Sequence, residues 1–204
     1  MSLFVRAFNT EHVLPPSNYE GFEFPENFRD GSPVDLEVGC GVGWHPIKYA
    51  QSNPDRRLIA IEHTKEKFES FMGRVERHSL SNLLPVHADA VRWVTHFVRP
   101  ETIDRVLILY PNPEPGNSSK RWLRAPFFQK LLEVLKPGGE ITLATNIESY
   151  FKEAIAYGQE FWKLEIKEQR RLTQPAPAGL PRTHFEKKYL SRGETCFDVT
   201  FRRP

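Results

Sequence analysis

Three acidic residues and a glycine cluster have the types and the spacing of a site for a positively charged ligand. Glu37 stands two residues before Gly39, where a short apolar run ends in a loop that contains three glycines. Glu62 ends a second apolar run, and Asp89 follows a third. Glycines allow a tight turn and let a ligand approach the backbone closely. A carboxylate in such a loop attracts an ammonium or a sulfonium group, whereas it repels a phosphate.

The spacing of the glycines argues against a dinucleotide site of the kind found in dehydrogenases. Such loops contain Gly-x-Gly-x-x-Gly and place a pyrophosphate at a helix N-terminus. Here the third glycine, Gly43, comes one residue early, and Trp44 occupies the expected place. The loop therefore predicts a site for S-adenosyl-L-methionine, which carries a sulfonium and an ammonium but no phosphate. A tight turn without a ligand is the alternative for the loop taken by itself.

The two later acids extend this prediction to the rest of the donor. A carboxylate about 20 residues beyond the glycines can accept hydrogen bonds from both ribose hydroxyls, which suits Glu62. Asp89 is placed to receive an adenine amino group. For either acid alone, a helix N-cap or a solvated strand end is the alternative. The predicted cofactor-binding residues are Glu37, Gly39, Gly41, Gly43, Glu62, His63, Asp89 and Ala90.

Alternating elements place these residues at one edge of a sheet. Short apolar runs alternate with helix-like stretches from residue 33 onward, which predicts an α/β fold with a mostly parallel sheet and helices on both faces. Ligands of such sheets bind at the carboxyl ends of the strands. Strands are predicted at 34–38, 57–62, 83–87, 106–109 and 141–144, and helices at about 44–52, 65–79, 89–98, 124–135 and 147–157.

The two ends of the chain differ from this pattern. Residues 1–32 lack periodicity and are predicted to form an irregular N-terminal arm, which packs on a single domain at 33–204. Strand-like runs at 162–166 and 196–201 predict an antiparallel pair at the sheet edge with no helix between them. Prolines keep the intervening segment from being helical. These prolines are Pro175, Pro177 and Pro181.

Bulk composition narrows the class of protein only moderately. The 204 residues carry a formal net charge of +2, which permits a nucleic-acid partner without requiring one. No run approaches the roughly 20 apolar residues of a membrane span, and the N-terminus lacks a signal-peptide core, so a cytoplasmic location is expected. Only Cys40 and Cys196 are present, and no His/Cys/acid spacing indicates a metal site.

Several segments, taken in order, resemble the bacterial tRNA (guanine-N7)-methyltransferase family, a group of S-adenosylmethionine-dependent enzymes. The resemblance covers about residues 34–203. The first three segments occur in many methyltransferases, whereas the last, a Thr-x-Phe-Glu element, is more particular to this family. The segments are Leu36-Glu37-Val38-Gly39-Cys40-Gly41, Asn53-Pro54-Asp55 leading to Ile59-Ala60-Ile61-Glu62, His87-Ala88-Asp89-Ala90, Tyr110-Pro111-Asn112-Pro113-Glu114-Pro115 with Lys120-Arg121, Leu143-Ala144-Thr145-Asn146 through Tyr150, and Thr183-His184-Phe185-Glu186.

The resemblance implies a fold, a substrate and a set of roles. The fold is a Rossmann-like seven-stranded methyltransferase sheet with an antiparallel last strand, and the partner is tRNA. Asn112, in the segment beside the target base, is the implied catalytic residue. The implied substrate-binding residues are Lys120, Arg121, Asn146, Thr183 and Glu186. An oligomeric state of monomer or homodimer is expected.

The sequence also departs from the family pattern near the substrate. Asn112 and Asn146 stand where the family has aspartates, and Glu114 replaces a tryptophan. The loop at 116–119 (Gly-Asn-Ser-Ser) is usually strongly basic. Since an aspartate would stabilise the cationic methylated base, Glu114 is hypothesised to compensate for Asn112. Two alternatives follow: a methyltransferase of the same fold that acts on a small molecule or another RNA, and a non-catalytic cofactor-binding RNA-binding module.

Overall fold

The protein is built on a single seven-stranded sheet. A computed structural model describes residues 3–114, 116–174 and 182–204. The strand order is β3-β2-β1-β4-β5-β7-β6; strands β1 to β5 pair in parallel, and β7 runs antiparallel to both of its neighbours. The predicted fold class and antiparallel last strand are confirmed. The strands are β1 Val34–Val38, β2 Arg57–Glu62, β3 Leu83–His87, β4 Ile103–Leu109, β5 Leu135–Thr145, β6 Glu165–Leu172 and β7 Cys196–Arg202.

Helices cover the sheet, and one of them corrects the sequence-based prediction. The helices are α1 Trp44–Ser52, α2 Lys65–Val75, α3 Ala90–Phe97, α4 Phe128–Val134, α5 Glu148–Ala156, which continues into a π-helical turn Tyr157–Phe161, and α6 His184–Ser191. Helix α6 lies between the last two strands, where the prediction had no helix. It begins at His184, beyond the prolines, because the Thr183 side chain caps its N-terminus. The predicted effect of Pro175, Pro177 and Pro181 falls outside the described residues.

Several strand boundaries also differ from the prediction: β4 begins at Ile103 rather than at residue 106, and β6 extends to Leu172 rather than to residue 166. Strand β6 begins at Glu165 rather than at Trp162, since Lys163 has a left-handed φ of 57° and the Trp162 indole donates a hydrogen bond to the Leu123 carbonyl (2.8 Å). Strand β5 begins at Leu135, six residues earlier than predicted, because the first residues of the strand pair with Ile103 and Arg105 of β4 across a register shift.

The central strands are buried on both faces, which explains their nearly continuous apolar runs. Leu36, Ile59, Val106 and Leu143 are at most 1% exposed. The parallel register of β1 with β2 and β4 brings the carboxyl ends of these strands together at one edge of the sheet. The loops that follow β1, β2 and β3 therefore lie side by side. Among the helices of the described ranges, none combines the length and the apolar character that a membrane crossing requires.

The first 30 described residues form an extended arm with three short 3-10 turns: Thr10–His12, Ser17–Tyr19 and Glu26–Phe28. Aromatic side chains of this arm pack edge-to-face on helix α3. Phe22 lies 5.6 Å from Trp93 and 5.3 Å from Phe97, measured between ring centroids. Because Trp93 is fully buried, the arm completes the hydrophobic core on this side of the sheet.

Candidate functional site

The loop between β1 and α1 turns through three glycines in the left-handed region. Gly39, Gly41 and Gly43 have φ values of 75°, 62° and 78°, a conformation that other residues adopt at a cost. A side-chain β-carbon added at Gly39 or Gly41 would meet no heavy atom within 4 Å, so open space faces the backbone there. The same atom at Gly43 would lie 1.9 Å from the Phe71 ring. Gly43 therefore admits a core side chain, whereas Gly39 and Gly41 leave room for a ligand.

Strand β2 holds this loop in place. The backbone amides of Gly39 and Cys40 both donate to the Ile61 carbonyl, at 2.9 and 3.0 Å. The Gly41 amide donates to Glu62 Oε2 (2.8 Å), and Glu62 Oε1 accepts from the Thr64 amide (2.8 Å). Glu62 is thus fixed by two backbone donors at the tip of its strand, and it is 4% exposed.

Glu37 lies at the base of the loop and is 2% exposed. Its Oε2 accepts a hydrogen bond from Nδ1 of His45, the second residue of α1, at 2.7 Å. His45 is itself buried, so the pair forms a fixed polar group under the glycines. Local sequence pattern gives no sign of this partnership, because the two residues belong to different elements. Burial, followed by the charges of Glu37 and Glu62, raises the pKa of the Cys40 thiol, which makes this cysteine unreactive.

The remaining predicted cofactor residues lie along the open edge of the sheet. The His63 side chain is exposed. Asp89 is exposed too, and its Oδ1 accepts a hydrogen bond from the Arg92 amide (3.0 Å), which makes it the N-cap of α3. Ala90 is the first residue of that helix. Because a carboxylate has several lone pairs, Asp89 can still accept hydrogen bonds from a ligand while it caps the helix.

A cavity of about 90 Å³ opens beside the glycine loop. Helix α6 covers it from the other side with its first turn, and the rings of Trp44 and His184 are 5.7 Å apart across the entrance. The volume is below the roughly 300 Å³ at which small-molecule pockets begin, so the cavity encloses only part of a ligand. Predicted site residues in its lining are Glu37, Gly39, Gly41 and Thr183. Lys67, Leu109, His184 and Phe185 also line it, and none of these four was assigned a site role from the sequence.

The segment after β4 leaves the sheet through a strained residue. Tyr110 has a φ of 53°, which is unfavourable for an aromatic residue. Its hydroxyl donates to Glu186 Oε2 (2.9 Å), so the segment is tied to helix α6. Asn112 is exposed, and its Oδ1 accepts weakly from the Glu114 amide at 3.3 Å. The structure therefore presents Asn112 to solvent on a loop whose start is rigid.

Of the two predicted basic residues in the next loop, only Lys120 is exposed. Arg121 Nε donates to the Pro113 carbonyl (2.8 Å), and its Nη1 lies 3.1 Å from Glu153 of α5. Arg124 shares the same carboxylate at 3.2 Å. The side chains of Arg121 and Arg124 are 16% and 29% exposed, respectively. They brace the loop against α5, a role that local sequence could not show because Glu153 is about 30 residues away.

The C-terminal predicted residues form a buried network rather than a free surface. Thr183 Oγ1 accepts from the Glu186 amide (2.9 Å). Glu186 accepts from the Arg182 amide and guanidinium, and Arg182 Nη2 also donates to Asp198 (2.6 Å). Burial alone would raise the pKa of Glu186, but Arg182 outweighs it and holds that pKa below the ordinary value. Asn146 Nδ2 donates to Glu194 Oε2 at 2.9 Å.

Chemically, the glycine loop and its acids suit a ligand that carries positive charge and hydroxyl groups. The carboxylates of Glu37 and Glu62 are buried beside open backbone, so they would attract a cation and repel a phosphate. Within residues 3–114, 116–174 and 182–204, no three His, Cys, Asp or Glu side chains converge as a metal site would require.

Comparisons with known proteins agree with this geometry. A family model described as "Putative methyltransferase" matches residues 31–199. A curated tRNA (guanine-N(7)-)-methyltransferase of Nitrosomonas eutropha is 30% identical over 195 residues, which cover 89% of this chain and 84% of the relative. A second curated protein of that name, from Nitrosomonas europaea, is 30% identical over 205 residues, which cover 95% of this chain and 88% of the relative.

Solved structures share the fold. The 16S rRNA methyltransferase KamB superposes with a TM-score of 0.66 at 22% identity, over 89% of this chain and 95% of that one. A 30S ribosomal A1408 methyltransferase from an uncultured bacterium gives a TM-score of 0.63 at 17% identity, over 90% and 96%. At these identities the likeness establishes the architecture of the sheet and its helices.

Proposed function

The chain belongs to the methyltransferase family that includes the tRNA (guanine-N(7)-)-methyltransferases, and from this premise we propose that it methylates N7 of a guanine in tRNA, with S-adenosylmethionine as the donor. The observation that carries the proposal is the buried Glu37 carboxylate beside Gly39 and Gly41, whose backbone faces open space. An acid in that position disfavours a pyrophosphate and favours a cationic donor.

The acids at the strand tips divide the donor between them. Glu37, held by His45, would attract the ammonium group of the methionine part. Glu62, whose carboxylate is oriented by two backbone amides, would receive the ribose hydroxyls. Asp89, with Ala90 and His63, would hold the adenine end.

The reaction requires positioning more than proton transfer. S-adenosylmethionine supplies a methyl group that is bound to a sulfonium. When the methyl group is transferred, the sulfur is left as a neutral thioether. Guanine N7 has a lone pair and no proton, so the chain does not need a general base. Asn112 stands beside the base that becomes cationic, and its side-chain dipole stabilises that charge less than an aspartate would.

The residues that the resemblance assigns to the substrate fall into two groups. Lys120 is exposed and free to contact a phosphate, and half-buried Asn146 lies at the tip of β5. Thr183 and Glu186 are occupied by the cap of α6 and by Arg182. We therefore assign Glu186 a positioning role: through its hydrogen bond it fixes Tyr110, and so the start of the segment that carries Asn112.

The deciding experiment incubates the protein with unmodified tRNA transcripts and a radiolabelled donor, followed by nucleoside analysis. We expect labelled 7-methylguanosine. Glu37→Gln should weaken donor binding and reduce the product, whereas Glu11→Gln, an exposed acid on the arm, serves as a matched control. Donor binding in calorimetry without methylation of tRNA would contradict the proposal.

The departures at Asn112 and Asn146 favour a second candidate, a methyltransferase of the same fold that acts on another RNA or a small molecule. Asn112→Asp separates the two candidates. If a guanine N7 is the target, the restored charge should raise turnover by roughly tenfold or more, because it stabilises the cationic product-like state. Glu114→Gln should lower turnover if Glu114 compensates for Asn112; unchanged turnover would eliminate that compensation.

A further inference from the structure

Two cationic side chains lie near the indole of Trp44, and two more line a cavity that Trp44 borders. The Lys48 and Lys187 ammonium groups lie 4.7 and 5.4 Å from the centre of the indole ring. Arg74 and Arg77 line a cavity of about 460 Å³ that Trp44 and Lys48 also border. We call the four cations, Lys48, Arg74, Arg77 and Lys187, the Trp44 cluster. It joins α1, α6 and the C-terminal end of α2.

No carboxylate of the described chain neutralises this cluster. None of the four cations has an Asp or Glu oxygen within 4.0 Å among the residues whose positions are described. The segments outside the description, residues 1–2, 115 and 175–181, contain no acidic residue. Within the described residues, the cluster therefore has no acidic partner at ion-pair distance.

Two side-chain nitrogen atoms of the Trp44 cluster are also buried. In the described part of the chain, Lys48 Nζ and Arg74 Nε have no hydrogen-bond partner although neither is accessible to solvent. A buried, unpaired ammonium is costly, and the indole face offsets only part of that cost. Burial and then the neighbouring Lys187 lower the pKa of Lys48. An anion in the cavity would attract the Lys48 ammonium through space and offset its repulsion with Lys187, although it would not bond directly to the two buried nitrogens.

Other arginines of the chain are arranged differently. Arg121 and Arg124 share Glu153, while Arg170 and Arg182 both bind Asp198. Each of these arginines has a carboxylate partner within the fold, although Arg124 Nε is buried without a hydrogen-bond partner. The unpaired cations of the Trp44 cluster, by contrast, adjoin the donor cavity, because Trp44 lines both cavities.

We propose that the Trp44 cluster binds phosphates of the tRNA backbone and is the principal phosphate-contact surface next to the methyl-donor cavity. This rests on the proposed function, which supplies the RNA. Several cations at one site match the closely spaced phosphates of a folded RNA, and the indole can stack on an unpaired base beside them. The basic loop of the family, reduced here to Gly-Asn-Ser-Ser at 116–119, is replaced in this role.

The test measures binding of an unmodified tRNA transcript to the full chain over a series of salt concentrations. Arg77→Gln/Lys187→Gln removes two exposed cations of the cluster. We expect the Kd to rise about tenfold and the slope of log K against log salt to become shallower by about 2, roughly 0.9 for each lost phosphate contact. Arg6→Gln/Lys163→Gln, which removes two exposed cations elsewhere, should change neither quantity beyond a small nonspecific effect.

Lys48→Met tests the buried member of the cluster, with a readout that separates binding from folding. Methionine fills the same space without the charge, so the melting temperature should stay the same or rise while tRNA binding weakens. A lower melting temperature with unchanged tRNA affinity would show that Lys48 is structural, which would overturn its role. Titration with inorganic phosphate distinguishes a site for a free anion: saturation by phosphate with no competition against tRNA would also overturn the proposal.

The outcomes separate this inference from the proposed function. If the wild-type chain forms 7-methylguanosine and the double variant binds tRNA like its control, the cluster proposal fails and the function stands. If the wild-type chain binds tRNA through the cluster but transfers no methyl group, the function fails and the cluster proposal stands. If the wild-type chain does not bind tRNA, both fall.

Discussion

Single residues in the left-handed region set the shape of the candidate site. Gly39 and Gly41 turn the chain and leave open space, Gly43 turns it and accommodates Phe71, and Tyr110 bends the chain at the end of β4. Three of the four are glycines, for which this conformation is cheap. The left-handed conformation is unfavourable for Tyr110, and the hydrogen bond from its hydroxyl to Glu186 offsets that strain.

The two kinds of glycine predict different defects. Gly43→Ala should lower the free energy of unfolding by about 3 kcal/mol, because the new methyl group overlaps the buried Phe71 ring and the backbone is also strained. Gly41→Ala should cost only the backbone strain, about 1 kcal/mol. It should nevertheless weaken donor binding strongly, because the methyl group enters the open space beside the loop.

Urea unfolding and titration calorimetry with S-adenosylmethionine measure the two effects on the same samples. Equal losses of stability in the two variants would show that Phe71 moves away from Gly43 at little cost. Unchanged donor affinity in Gly41→Ala would show that the donor does not approach this part of the loop.

At the scale of elements, the sequence predicts the strands that carry the acids better than the connections between them. Glu37, Glu62 and Asp89 follow apolar runs, and local pattern is enough to place them at neighbouring strand tips. The sequence does not predict helix α6, although Thr183 and Glu186 have the spacing of a capping box, because the prolines before it argue against a helix in this segment.

Several candidate residues have hydrogen-bond partners that lie far away in the sequence, and local sequence pattern does not reveal such partners. Glu186 is 76 residues from Tyr110, and Arg121 is 32 residues from Glu153. Such contacts depend on how the elements pack, so the residue types alone do not reveal them. The sequence therefore suggests candidate residues without their partners, and the structure adds that Glu186 and Arg121 are held by contacts within the fold.

Helix α6 supplies the prediction that belongs to this scale. Glu186→Gln should lower the free energy of unfolding at pH 7 by about 3 kcal/mol, because Arg182 and Tyr110 lose a buried carboxylate. The pKa of Glu186 is lower in the folded protein than its ordinary 4.5. Its contribution is therefore complete above pH 4.5 and is lost as the pH falls through the folded pKa.

Chemical denaturation between pH 7 and pH 3 checks this linkage. The wild-type chain should lose stability on acidification more steeply than Glu186→Gln, so that the two curves converge. Thr183→Ala is the matched control: it removes the cap of the same helix at a cost of about 1 kcal/mol, with no change in the pH dependence. If the free energy of unfolding changed with pH in the same way in Glu186→Gln and in the wild type, the pKa of Glu186 would not be lowered by folding.

At the scale of the whole molecule, the N-terminal arm links distant parts of the sheet. The Phe8 amide donates to Gln129 Oε1 on α4 (3.2 Å), and farther along the arm the Asn27 carbonyl accepts from Arg57 Nε at the start of β2 (2.6 Å). Between these contacts, the Tyr19 hydroxyl accepts from the His87 amide at the end of β3 (2.9 Å). The arm thus touches the strand tip that precedes Asp89.

This contact predicts that the arm steadies the adenine end of the site. Tyr19→Phe leaves the ring in place but removes the acceptor of the His87 amide, which should cost about 1 kcal/mol of stability. It should also speed hydrogen exchange at His87 and weaken donor binding severalfold. Phe24→Leu is the control, because it disturbs packing on Trp93 through a ring that does not pack on Tyr19. If Phe24→Leu weakened donor binding as much as Tyr19→Phe, overall stability rather than the strand tip would govern the affinity.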